Sequence, residues 1–290
     1  MILVTGATGT NGVEIVKLLS RSGVRCRALV RNPEKISTLS DLPQGSKSFK
    51  ATCPARKVSR QFSTESIEPS YIHPSLLTWR NCKEISFERL KKLGVRHIVK
   101  FSGIDADPHC EWRFLRWHGI AEQDLEESGL AFTHLQPNQF MQVYLRFQAT
   151  IASQGKFYAA SKDSRVSPVD VRDIAALTGT GHEGKKYVIT GPEALTYFDV
   201  ADKLSAAICK KVSYVDVPLE AAKQAILDTE APAWFAEGQA EQFRFRWQGN
   251  QSRVTSTIAD VAGKKTDIFR RLRARVRLVF SRRGKFRTGA

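Results

Sequence analysis

Short apolar runs alternate along this chain with stretches in which apolar residues return every three or four positions. The first such unit opens it. Met1-Ile2-Leu3-Val4-Thr5 runs into glycines at positions 6, 9 and 12, and Val13-Glu14-Ile15-Val16-Lys17-Leu18-Leu19 then repeats apolar residues at helical spacing. This predicts a buried strand, a tight turn and a helix folded back on the sheet. Gly23 to Val30 predicts a second strand, and Arg31-Asn32-Pro33-Glu34-Lys35 turns toward a helix. Residues 46–84 give no clean period, and Pro69 and Pro74 break what pattern there is, so the sheet is expected to be disturbed where its third and fourth strands belong. Order returns with a helix over 85–93 ending at Gly94, a strand His97–Ser102, a long helix from Cys110 to Ser128, and a strand Leu130–Gln136. A helix over about 142–154, a short extended piece at 158–161 and a brief helix after Asp170 as its cap follow. Lys186–Gly191 is a strand. Helix, strand and helix at 198–208, 212–217 and 219–227 predict a smaller lobe, with less regular helical segments over 234–263.

The expected fold class is therefore α/β: a Rossmann-type parallel sheet flanked by helices, with a small carboxy-terminal substrate lobe. One domain is expected over 1–263, its cofactor part about 1–160 and its substrate lobe about 185–263, followed by a basic tail at 264–290. The opening turn sets the chemistry. A helix that begins there presents unpaired N–H groups and the positive end of its dipole, and glycines let a pyrophosphate approach. The spacing GxxGxxG differs from the GxGxxG of ordinary dehydrogenases. A glycine-rich βα turn of an unrelated α/β protein is the alternative. At the end of the second strand, an acid would accept hydrogen bonds from a free ribose 2′-hydroxyl. Arg31 stands there instead and can pair with a 2′-phosphate, which favours NADP(H) over NAD(H), although a solvated arginine would look the same.

Charge changes the picture only locally. Of the formal net charge of +16, residues 264–290 supply a net +10 through eleven Lys/Arg against Asp267. The rest carries no strong signature of phosphate-backbone binding, so a nucleic-acid partner is not expected and a solvated tail is the simpler reading. Five scattered cysteines without a CxxC pair read as reduced thiols, and no run is long enough to span a membrane, so a cytoplasmic protein is expected. His73, His109 and His134 lack partners at ligand spacing, so no metal is expected, and no GxSxG nucleophile motif occurs.

Five further stretches join the glycine turn: Ala28-Leu29-Val30-Arg31-Asn32-Pro33, Gly94 to Ser102, Leu135-Gln136-Pro137-Asn138-Gln139-Phe140-Met141, Val169-Asp170-Val171-Arg172-Asp173-Ile174-Ala175 and Gly191-Pro192-Glu193-Ala194-Leu195-Thr196-Tyr197. In this order they resemble the NmrA-like group of atypical short-chain dehydrogenases/reductases, in particular its type 2 NAD(P)H quinone oxidoreductase-like members. The resemblance covers about 1–45 and 85–263. It implies NADP(H) binding in an amino-terminal Rossmann domain, and either reduction of quinone-like or enone-like small molecules or a redox-sensing regulatory role without turnover. It leaves a homodimer or a regulatory protein partner open. Residues 46–84 and those after Lys265 depart from the family abruptly, which reads as an altered reading frame or splicing more than as gradual divergence.

Short-chain dehydrogenases place a tyrosine and, one helical turn on, a lysine on one face of a helix. The matching residues here are Phe114 and His118. A phenyl ring moves no proton, so the usual acid is missing. The catalytic candidates are His118, which could bond the ribose or donate a proton, and Ser102 at a strand exit, with a satisfied helix histidine and a plain turn serine as the alternatives. The cofactor-binding candidates are Gly6, Thr8, Gly9, Thr10, Asn11, Gly12, Arg31, Phe101, Pro137, Asn138 and Phe140. Asn138 could meet the nicotinamide amide and Phe140 could wall the ring, while Phe140, Met141, Tyr144 and Phe147 also fit core packing.

Overall fold

The computed structural model describes residues 2–5, 7–21, 23, 26–29, 39, 70–73, 87–92, 94–178 and 181–263. Two compact units emerge, one of residues 1–137 and 171–189, the other of 138–170 and 190–290.

The first unit is a six-stranded sheet in the order β2-β1-β3-β4-β5-β7, every pair parallel. Its strands are β1 (Ile2–Thr5), β2 (Cys26–Leu29), β3 (Ser70–His73), β4 (His97–Phe101), β5 (Ala131–Pro137) and β7 (Lys185–Ile189). Its helices are α1 (Thr10–Arg21), α2 (Phe87–Lys92), α3 (Arg113–Glu127) and the short α5 (Val171–Ala175). β4 is buried along its whole length, as a central parallel strand covered on both faces must be. Val4, Ile15, Val16 and Ala28 are buried near the first crossover, and Leu90, Val95, Ile98, Leu125 and Leu130 form a cluster beside α2 and α3. Because all pairs are parallel, the carboxyl ends of the strands share one edge, where open α/β sheets bind ligands.

Two expectations change. Residues 46–84 do contribute a strand: β3 lies between β1 and β4, with Ile72 opposite both Val4 and Val99. Four residues between Pro69 and Pro74 are too few to display a period, and pairing from both sides selects the extended state. Residues 46–69 and 74–86 lie outside the described residues, and among the described residues β2 and β7 are the two edge strands. Second, Lys185–Ile189 pairs with β5 and completes the sheet, so it belongs to the first unit and not to the smaller lobe. The first unit's main segment ends at Pro137, not near residue 160.

The second unit holds a two-stranded parallel sheet of β6 (Lys156–Ala159) and β8 (Ser213–Asp216). Around it lie α4 (Gln148–Gln154), α6 (Tyr197–Ile208), α7 (Leu219–Leu227), α8 (Ala233–Trp247) and α9 (Thr257–Ala262). The helix expected from about 142 begins as a 3-10 turn over Met141–Phe147 before α4. Met141, Tyr144, Phe157, Tyr197 and Tyr214 form its aromatic core with Phe147 against them, which places Met141, Tyr144 and Phe147 in packing roles. α6 starts where it does because Thr196 and Asp199 cap it reciprocally. Among the described residues no helix is long and apolar enough to cross a membrane.

Candidate functional site

The carboxyl edge of the first unit gathers most of the expected residues. From the end of β1 the chain turns through Ala7-Thr8-Gly9, and Val13 N–H donates to Gly9 O at 3.0 Å as α1 begins. That bond leaves the earlier N–H groups of the helix without an intrahelical acceptor. Gly9 is exposed and Gly12 buried. A helix end of twelve residues behind a turn with an exposed glycine fits a dinucleotide pyrophosphate, which needs donors and close backbone approach. Thr10 and Asn11 open α1. Their side chains, together with Gly6 and Arg31, lie outside the described residues.

Further along the same edge, a trio forms that sequence spacing did not announce. Lys100, buried in β4, donates from Nζ to Ser102 Oγ at 3.0 Å and lies 3.4 Å from His118 Nδ1 on α3. An ammonium has no acceptor lone pair, so Nδ1 accepts and the imidazole proton sits on Nε2. Gly103 lines that ring: a Cβ there would stand 3.2 Å from His118 Cδ2 and 3.6 Å from Nε2. Burial, with the Lys100 charge added, holds His118 well below the ordinary histidine range. His118 is therefore neutral at pH 7 and can donate a hydrogen bond from Nε2, but it does not serve as an imidazolium acid. Burial also brings Lys100 down to about 8, with Glu122 opposing that shift and Lys186 adding to it. Lys100 is the candidate group missed in the sequence. Its one local signal was a lysine inside the apolar run His97-Ile98-Val99-Lys100-Phe101 of a buried strand.

Other candidates are placed differently. Phe101 and Pro137 are buried, and the Pro137 carbonyl accepts from Ile104 N at 3.0 Å. The Asn138 amide donates to Ser167 Oγ at 2.7 Å and Gln251 O at 2.8 Å, and its carbonyl accepts from Gln139 N at 2.8 Å. Those three bonds hold the exit loop together and leave the buried amide little capacity for a nicotinamide. Phe140 is half-buried, and its backbone bridges Val169. Glu122, Glu126 and His134 lie with ligand atoms within 4.8 Å of one another, a grouping the spacing did not reveal. Lys186 Nζ already stands 3.6 Å from Glu122 and 2.7 Å from Glu126, and Gln136 donates to both oxygens of Glu122 at 3.0 Å. These contacts supply the positive charge and donors that the carboxylates need.

Comparison with known proteins places this arrangement. The chain is 35% identical over 282 residues to an NAD(P)H azoreductase of Xenophilus azovorans, spanning 93% of this chain and 95% of the relative. It is 31% identical over 283 residues to a (4-alkanoyl-5-oxo-2,5-dihydrofuran-3-yl)methyl phosphate reductase of Streptomyces griseus, again over 93% and 95%. Its fold matches that of an NADPH-dependent quinone oxidoreductase from Escherichia coli at a TM-score of 0.74 and 22% identity, covering 95% and 99%. It also matches NmrA, a negative transcriptional regulator solved with NAD, at 0.67 and 14%, covering 97% and 95%. The chain belongs to the NmrA-like, quinone-oxidoreductase-like family. No protein-family profile matches it.

The position matched in the sequence to the tyrosine of short-chain dehydrogenases lies on α3. Phe114 lies on it, half-buried and edge-on to Trp117 at 5.8 Å. The NmrA-like chain thus lacks the phenol and keeps, one turn on, the ring that Lys100 contacts. α3 approaches the preceding loop closely because residue 119 is glycine: a Cβ there would lie 2.1 Å from the Asp107 carbonyl carbon.

Proposed function

We propose that the chain is an NADPH-dependent oxidoreductase that reduces quinone-like or enone-like small molecules. What carries the reading is 35% and 31% identity to two reductases over nearly the full length, in a chain whose sheet edge holds both a glycine turn and the Lys100–Ser102–His118 trio. The names of those relatives describe different acceptors, an azo compound and an unsaturated furanone, yet both are electron-poor conjugated double bonds. Such acceptors take a hydride without a strong acid poised on them, which accords with phenylalanine at position 114. The bound nicotinamide would supply the hydride, and the protein's share is position and electrostatics. The turn Ala7–Gly9 and the start of α1 would hold the pyrophosphate, and Arg31 the 2′-phosphate. His118 Nε2–H would bond the ribose or the acceptor, and Ser102 would face the reacting end.

A second reading is a cofactor-sensing regulator without turnover, which the missing tyrosine and the fold shared with NmrA favour. One experiment separates them: following NADPH absorbance against a panel of quinones, enones and azo compounds. Sustained consumption above background supports the reductase; tight NADPH binding with no consumption across the panel overturns it. In the same assay Arg31→Ala should weaken NADPH binding by roughly tenfold or more and leave NADH unchanged, since a charged hydrogen bond contributes about 1.5–3 kcal/mol. Equal binding of the two cofactors by the unaltered chain would remove Arg31 from that role.

A further inference from the structure

A polar seam runs through the interior of the first unit, between α3 and the sheet. His118, Glu122 and Glu126 follow one another at four-residue spacing and so share one face of α3. Opposite them, Lys100, His134 and Lys186 are register partners in a row across β4, β5 and β7. Lys100, His134 and Glu122 are buried, whereas Lys186 is about half exposed. His134 Nε2 meets Glu126 at 3.1 Å, and its buried Nδ1 has no hydrogen-bond partner among the described residues. A row of this kind is costly in a buried parallel sheet, where apolar residues are the rule. Its inner end is the Lys100–Ser102–His118 trio, and its outer end reaches solvent at Lys186 and Glu126.

We propose that Lys100, working through the Ser102 hydroxyl, supplies the proton that completes the reduction, with Glu122 and Lys186 as positioning residues that set its readiness to give that proton. The inference rests on the oxidoreductase reading. Hydride adds two electrons at one end of the acceptor's conjugated system, a π bond breaks, and an electron pair is left on oxygen or nitrogen. The Ser102 O–H bond breaks as the new O–H or N–H bond forms, and an N–H bond of Lys100 breaks to restore the hydroxyl. Solvent returns one proton to the neutral amine, so each turnover consumes one NADPH and one proton. Lys100 is already aimed at Ser102 Oγ as donor, which leaves the hydroxyl hydrogen for another acceptor. Among the described side chains, the groups that bear on Lys100 are Ser102 on its own strand, His134 on β5, Lys186 on β7, and His118 and Glu122 on α3.

The two flanking charges act with opposite sign. Glu122 favours the ammonium and Lys186 disfavours it. The test is the pH profile of kcat for the full chain with NADPH and a small naphthoquinone. Activity should fall on the alkaline side as Lys100 loses its proton near pH 8. Glu122→Gln should move that limb to lower pH and Lys186→Met to higher pH. Lys100→Arg keeps a charged donor that releases no proton, and should lower kcat about 100-fold with KM little changed. Lysine 13Cε chemical shifts, read without cofactor, give a second measurement. One resonance should titrate near pH 8, vanish in Lys100→Arg, and move in opposite directions in the other two variants. Turnover whose alkaline limb survives in Lys100→Arg, or a Lys100 resonance unmoved by both flanking changes, overturns the inference alone. Absence of turnover in the unaltered chain overturns the reductase reading and takes the inference with it.

Discussion

Single residues decide how this fold responds to acid. Burial, with the charges of Lys100 and Lys186, depresses His134 to about 3, and His97 and His118 are lowered as well. An unfolded histidine titrates near 6.5. Between that value and the folded one, the unfolded chain binds more protons than the native chain, so stability falls as pH drops below about 6.5 and is level above it on this account. Each such histidine contributes on the order of 1.4 kcal/mol per pH unit across its window. The urea midpoint should therefore decline from pH 7 to pH 5, before most carboxylates titrate. His134→Gln should be less stable at pH 7 yet show a shallower decline. A midpoint constant over that range, or an identical slope in the variant, would contradict this account. None of it was legible in the sequence. His134 looked like a lone histidine in an apolar strand, and the Glu126 it meets and the Lys186 beside it come from two other elements. Ser102 and His118 were readable as candidates, one from a strand exit and one from the short-chain dehydrogenase alignment. The lysine that joins them was not.

At the scale of elements, local pattern and long-range pairing divide what could be read. β1, the turn and α1 were legible because strand, glycines and helix are contiguous and each has its own period. β3 was not, since four residues between prolines become a strand only when β1 and β4 pair with them. β7 was recognised as a strand but assigned to the wrong unit, because nothing local says which sheet a strand joins. The seam face of α3 has its counterpart in Lys100, His134 and Lys186, which come from three separate strands, so no local pattern reveals it. α3 also carries a prediction. The missing Cβ of Gly119 allows the backbone of Asp107 and Pro108 to sit against the helix, with the nearest atoms 2.1 Å and 2.2 Å from where that carbon would be. Backbone cannot give way as a side-chain tip can, so Gly119→Ala must displace the loop or the helix. Despite alanine's better helix propensity, a loss of about 1–3 kcal/mol is expected in urea unfolding, typical of overpacking. An unchanged or raised midpoint would show that the loop moves aside freely.

For the whole molecule, the distribution of charge sets residues 264–290 apart from the rest of the sequence. Residues 264–290 account for +10 of the formal +16, leaving +6 over 263 residues. The described structure closes before them: α9 ends at Gly263 in the left-handed conformation, its N–H bonded to Ala259 O at 3.0 Å, and Ile258 anchors the helix in the interior. A helix end capped in this way needs no continuation to satisfy its carbonyls. Removing residues 264–290 should therefore leave the thermal midpoint and NADPH affinity unchanged, since the described glycine turn and Lys100 trio are built from residues 7–12, 100, 102 and 118. What should change is binding to polyanions. Counterion release makes such binding steep in salt, with a slope that grows with the number of cationic contacts. The full chain should be retained on heparin at low salt, and the shortened chain should elute early. Retention that persists without the tail would place a basic surface on the folded units, and a large drop in midpoint would show that the segment supports the fold.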